Sequence, residues 1–225
     1  MSQQSSVERA VSFLKEAGRP VSAREFAEAG FNRMTLLRAV QSGLVERSAR
    51  GVYRLIAPGE DSRALWAGIA YAMPEAVFCM ESAAAYHGLT QNMAGVLNIA
   101  LPAGSRIPAP GSTGVAARYM TWRRPEAFTL GVETLAIEGV TVRITDPART
   151  VVDLFRYSTL VPQRSEPSIM TDPETVHDAL VRYLHGEAGG SAAELARMAR
   201  AFGAWERLKP NVEMLNLSWS RGPSA

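Results

Sequence analysis

The stretch from Asn32 to Leu55, NRMTLLRAVQSGLVERSARGVYRL, decides the fold. It reads as one short amphipathic helix followed at once by a tight two-stranded ribbon. Asn32 is a good N-cap and Gly43 a good residue to follow the last turn, which brackets about ten helical residues. At about 100° per residue, Leu36, Leu37 and Val40 fall on one face. Thr35, Arg38 and Ser42 fall on the other, with Met34, Ala39 and Gln41 at the borders. Leu44–Arg47 and Val52–Leu55 then have the character of paired strands, joined by Ser48-Ala49-Arg50-Gly51, where Gly51 supplies a φ > 0 turn position. Helix, then hairpin, with Arg33, Arg38, Arg47, Arg50 and Arg54 opposed only by Glu46, is the pattern of a winged helix-turn-helix.

Upstream, Val7, Ala10, Val11 and Leu14 repeat at helical spacing, and this first helix ends near Gly18. Arg19-Pro20 breaks it. Ser22-Ala23-Arg24-Glu25 is a capping box that opens a second helix, which Gly30 stops. Three helices and a ribbon complete a winged helix, in which the third helix enters the major groove with its amino-terminal half toward the bases. Arg33, Thr35 and Arg38 are therefore the candidate base readers, with Ser42 on the same polar face. Arg47 and Arg54 add charge on the ribbon, and Arg50 stands on the wing tip for phosphate or minor groove. A winged helix that contacts only protein is the alternative.

Downstream, Ala57-Pro58-Gly59-Glu60-Asp61 is a natural linker. Beyond it Arg63–Met73 reads as an apolar helix, Val77–Met80 as a buried strand, and Glu81–Tyr86 as a short helix. Val96–Leu101 and Val115–Arg123 read as strands. Leu135–Ile137 and Val140–Ile144 flank a two-residue turn at Glu138-Gly139. Asp146-Pro147 is an N-cap with Pro in the first helical position, opening a helix over 147–158. Val161–Met170 is a polar link, and helices follow over Glu174–Leu184 and from Ser191 to about Leu208. Pro210 is expected to end the latter, leaving Leu215–Ala225 as a loose tail. The expected architecture is α+β: a winged helix-turn-helix over 1–56, a linker over 57–61, a mixed α/β domain over 62–160, and a C-terminal helical extension and tail over 161–225.

The charge is unevenly spread. Residues 1–56 hold nine Arg or Lys against five Asp or Glu, so this quarter carries +4 while the whole chain carries +2. That polarity fits a polyanion partner for the amino-terminal part alone. The longest apolar run, Ala64–Met73, is too short to span a bilayer, so no membrane is expected. The start, MSQQSSVERAV, lacks the basic and apolar regions of a secretory signal. A single cysteine, Cys79, fits a reducing cytoplasm and a place in the core.

Chemistry-bearing motifs are sparse. Lys15 and Lys209 are the only lysines, and Phe13 and Arg207 stand where a restriction-type nuclease motif needs Glu. There is no nucleophile elbow, phosphate loop or Cys/His cluster, so no catalysis, cofactor or metal is expected. His87, at the end of a helix, reads as a capping or core polar group. Arg149 and Asp153, four apart on one helix, read as a buried ion pair, with a contact surface as the alternative. Arg123-Arg124 beside Trp122 reads as a solvated strand end.

Three segments together resemble one family: LLRAVQSGLVERSARGVYRL at 36–55, ESAAAYHGL at 81–89 and ITDPARTVVDLFRY at 144–157. Each is similar to a stretch of the type IV antitoxins of abortive-infection systems, the AbiEi-like proteins. The resemblance spans about residues 5–160. It implies a winged helix that represses its own operon by binding double-stranded operator repeats. It also implies a second domain that counteracts a nucleotidyltransferase-like toxin without needing a stable complex. Arg38, Arg50 and Tyr53 fall on the wing-and-helix motif, and Glu81, Ser82, His87, Arg149 and Asp153 on the second-domain motifs. The resemblance assigns none of them a catalytic role. The competing reading from the residues themselves is an adaptor whose winged helix binds a protein.

Overall fold

The computed structural model describes residues 5–56, 63–91, 95–109, 115–158, 171–185 and 190–220. The expected linker at 57–61 and the expected polar link at 161–170 lie outside them. The chain is α+β, as its sequence implies, and it divides into two compact units.

The first unit begins with α1 (Ser6–Ala17), β1 (Val21–Ser22), α2 (Ala23–Glu28), α3 (Arg33–Gln41), β2 (Val45–Ala49) and β3 (Val52–Leu55). Ser5 and Ser22 each form a reciprocal capping box, with Glu8 and Glu25 respectively, and Asn32 caps α3. These local signals place the three helices where the sequence puts them. The ribbon turns over Arg50-Gly51, with Gly51 at φ 75° as the tight turn requires. A bulge between Arg47 and Ala49 leaves Ser48 without a partner residue across the ribbon. The two-residue strand β1 adds to β3 and completes a sheet of order β1-β3-β2. Under it lie Ala10, Leu14, Val21, Phe26, Leu36, Ala39 and Val45, with the rings of Phe13, Phe26 and Phe31 in edge or tilted contact.

This unit runs past the expected boundary. It includes α4 (Ala64–Ala72), which packs on β2 and β3, together with residues 104–117 and 134–143. Tyr71 of α4 donates a hydrogen bond to Glu25 of α2, and Arg19 pairs with the same carboxylate at 2.7 Å. A helix that reads as the opening of the second domain is therefore built into the first.

The second unit holds most of a five-stranded sheet of order β6-β5-β4-β8-β7. Its strands are β4 (Val77–Phe78), β5 (Leu97–Pro102), β6 (Ala117–Trp122), β7 (Val132–Ile137) and β8 (Val140–Thr145). The expected strand to Met80 stops at Phe78. Met80 instead starts α5 (Met80–Tyr86) with a left-handed φ of 54°, held by its burial. Asp146 caps α6 (Pro147–Arg156), in which every residue from Ala148 to Phe155 is buried. Around α6 pack α5, α7 (Pro173–His185) and α8 (Ala192–Ala201), and α9 (Trp205–Ser220) packs on α8. The core joins Val151, Val152, Leu154 and Phe155 to Leu180, Tyr183, Leu195, Met198 and Leu208, so α7–α9 complete this unit rather than trail from it.

Two expectations fail at the carboxyl end. The helix from Ser191 stops at Gly203, φ 67°, where Ala204 N–H reaches Ala199 C=O at 2.7 Å and Gly203 N–H reaches Arg200 C=O at 3.0 Å. That paired closure needs a left-handed residue, which glycine supplies. Pro210 then sits inside α9 and does not end it. Its lost N–H costs one bond to the Glu206 carbonyl, which the rest of the helix outlasts. Leu215, expected in a loose tail, packs against the core.

Candidate nucleic-acid interface

The buried stripe of α3 is rotated by about one residue from the one its hydrophobicity suggests. Leu36 and Ala39 are buried, and so is Thr35 at 6% exposure. Asn32 Oδ1 accepts from both Thr35 N–H (2.9 Å) and Thr35 Oγ1–H (3.1 Å), which ties that hydroxyl to the Asn32 cap. Thr35 is thus buried and engaged at the start of the helix rather than presented to a base. Leu37, expected in the core, is 48% exposed and Met34 53%. The outward arc of α3 consists of Arg33, Met34, Leu37, Arg38, Gln41 and Ser42. Ser42 Oγ donates to Ala39 C=O at 2.7 Å and so closes the helix.

On the ribbon, Arg47 and Arg50 are exposed. Arg54 is not: it is 3% exposed and ion-paired with Glu46 across the ribbon and with Glu138 at 2.8 Å. The alternation of β3 puts Arg54 on the buried face with Val52, so it belongs to the unit's framework and not to its charged surface. Glu46, the acid that opposed five arginines in the sequence, is committed to Arg54. Arg33, Arg38, Arg47 and Arg50 have no acidic partner among the described residues. A fifth arginine joins them: Arg106 and Arg50 line one groove with Ala49, Ala72, Met73 and Ile107. Arg106 lies more than fifty residues from the wing in sequence, and no local signal marks it.

The candidates in the second unit are mostly internal. Arg149 and Asp153, both fully buried, pair at 2.8 Å, as the four-residue spacing implies. Arg149 also donates to Leu130 C=O (2.7 Å) and Ala127 C=O (3.2 Å), and its guanidinium stacks over Phe202 at 3.8 Å and Trp122 at 4.5 Å. Asp153 takes a second pair from Arg156 at 3.0 Å. Trp122 thus serves Arg149, while its neighbours Arg123 and Arg124 are exposed. Ser82 Oγ accepts from Asn98 N–H at 2.8 Å. Glu81 accepts from Thr171 Oγ1–H at 2.8 Å. His87, which ends α5, donates from Nε2 to Thr145 C=O at 2.7 Å. Burial, and then the Asp153 charge, push the Cys79 thiol up, so it is an inert core group. Arg149 and Asp153 are brought together; Glu81, Ser82 and His87 each engage a different partner. No helix of the described residues is long and apolar enough to cross a membrane.

Residues 8–56 match the family described as "Transcriptional regulator, AbiEi antitoxin", and residues 75–163 match the "AbiEi antitoxin C-terminal domain". No curated protein matches the chain. A crystal structure of the RV2827C protein from Mycobacterium tuberculosis has the same fold, with a TM-score of 0.63 over 93% of this chain and 77% of that one, at 18% identity. Two family matches, in the order and at the places where the three sequence segments lie, converge on one assignment. The chain belongs to the AbiEi-like antitoxins, as an antitoxin with a transcriptional-regulator role.

Proposed function

We propose that this antitoxin represses its own operon by binding operator repeats in double-stranded DNA. In this reading α3 enters the major groove, the wing holds the backbone through Arg47 and Arg50, and Arg106 adds a further backbone contact beside Arg50. The second domain counteracts a nucleotidyltransferase-like toxin in the cytoplasm, without catalysis and without needing a stable complex with it. The observation that carries the DNA reading is the unopposed set of Arg33 and Arg38 on the exposed face of α3 and Arg47 and Arg50 on the ribbon, with Glu46 withdrawn into the Arg54 pair. A surface of that sign attracts phosphates and steers association.

The test is titration of the full chain against a duplex of the region upstream of its own gene, at several salt concentrations. Each phosphate neutralised contributes about 0.9 to the log–log salt slope. Arg50→Ala and Arg106→Ala should each weaken specific and random duplexes alike and flatten the slope by about one. Arg38→Ala should weaken specific binding more than random binding, by roughly 1–3 kcal/mol. Salt-independent binding, or none, would overturn the DNA reading in favour of a protein partner for the winged helix.

A further inference from the structure

The exposed arc of α3 has an apolar centre. With about 100° per residue, Leu37, Gln41 and Met34 lie within about 60° of one another, and Arg33 and Arg38 flank them about 40° further out on either side. Leu37 and Met34 keep roughly half of their surface in water, while Leu36 and Ala39 behind them are buried. Neither side chain belongs to the unit's core or to the apolar groups packed against it, so much of their apolar surface is left to meet a partner. No acidic residue occurs between Phe31 and Val45.

A partner for this face must satisfy two conditions. It must be anionic at the edges, opposite Arg33 and Arg38, and apolar at the centre, opposite Met34 and Leu37. The major groove meets both conditions. Phosphates line its rims, and its floor carries one apolar group, the 5-methyl of thymine. Gln41 suits the same base pair, because a Gln amide matches N6 and N7 of adenine.

Resting on the DNA reading above, we infer that Met34 and Leu37 read thymine methyl groups, so that the half-site centres on A·T pairs. Arg33 then holds a phosphate rim on one side of the arc, while Arg38 on the other adds its own contact to a base edge. This identifies the class of base pair read, and it gives α3 a readout that does not depend on arginine.

Deoxyuridine removes the methyl group and leaves pairing intact, which makes the experiment direct. The full chain selects its site from a pool of random-sequence duplexes. Each thymine of the selected half-site is then replaced singly by deoxyuridine. The expected result is an A·T-containing half-site with one or two thymines whose replacement weakens binding roughly threefold to fivefold per methyl. Leu37→Ala and Met34→Ala, both at exposed positions, should bind more weakly than the parent chain. At least one of them should no longer distinguish thymine from deoxyuridine at the affected position. Selection of a defined site with no sensitivity to any deoxyuridine overturns this inference and leaves the DNA reading standing. So does full sensitivity in both variants, which would hand the apolar centre to another partner. Failure to enrich any duplex overturns the DNA reading itself, and this inference with it.

Discussion

At the scale of single residues, Glu25 carries several duties that a capping box alone does not announce. It closes the box with Ser22, pairs with Arg19, and accepts from Tyr71 of α4. Burial raises its pKa, but the hydrogen bonds from Tyr71, Ser22 and Arg19 outweigh burial and hold it at about 2. A carboxyl with a folded pKa below its unfolded value stabilises the fold above the unfolded pKa, and that contribution fades as pH falls toward the folded one. The first unit should therefore lose this support between about pH 4.5 and pH 2. Glu25→Gln should be less stable than the parent at neutral pH, and its stability should fall less steeply across that window. Urea melts at pH 7, 4 and 2.5 decide it; parallel acid limbs would show that these hydrogen bonds do not favour the charged form. The pair Arg54–Glu46 shows the limit of reading residues in isolation. Once the ribbon's register is set, Arg54 faces Glu46 directly and shares the buried side with Val52. Glu138, its other partner, is 84 residues away, and no local pattern leads to it.

At the scale of elements, the bulge in β2 exists in close company with α4. A Cβ placed on Gly68 would lie 2.0 Å from Ser48 Oγ and 2.3 Å from Ser48 Cβ. Helix and bulge are in contact there, and only a residue without a side chain fits. Gly68→Ala should cost about 1–3 kcal/mol through overpacking, despite the better helix propensity of alanine. Ser48→Gly in the same chain should recover most of that loss. A thermal melt in which Gly68→Ala is neutral would mean that α4 does not seat on the ribbon. The elements legible in sequence were those with strong ends: Ser22, Asn32, Asp146 and Ser191 all cap helices where the sequence starts them. The rotation of α3 was not legible, because Leu37 and Val40 outweigh Thr35 and Ala39 in any count of apolar character. What decides it is the Asn32–Thr35 cap and the smallness of Ala39. Of the candidate interface, the wing arginines Arg47 and Arg50 could be read from the ribbon, whereas Arg106 is joined to them only by the fold.

At the scale of the molecule, neither unit is a continuous stretch of chain. The first draws on residues 1–76, 104–117 and 134–143. A fragment ending near residue 58 would therefore lack Tyr71 for Glu25, the seat of Gly68 on Ser48, and Glu138 for Arg54. Division of labour between the two units is better tested by substitution in the full chain. Arg38 is exposed, without an ion pair among the described residues, and Arg38→Ala should leave stability unchanged while it removes operator recognition. Asp153 is fully buried between Arg149 and Arg156. Asp153→Ala strands the Arg149 charge inside the second unit at a cost of roughly 3–5 kcal/mol. That is a large share of a stability that for most domains is about 5–15 kcal/mol. If regulation belongs to the first unit and antitoxin action to the second, Arg38→Ala derepresses a reporter yet still protects cells from the cognate toxin expressed separately. Asp153→Ala does the reverse where enough folded first unit survives. Reporter output, growth and protein abundance should be read in the same cells. If Arg38→Ala loses protection at normal abundance, protection runs through DNA binding, and the two roles are one.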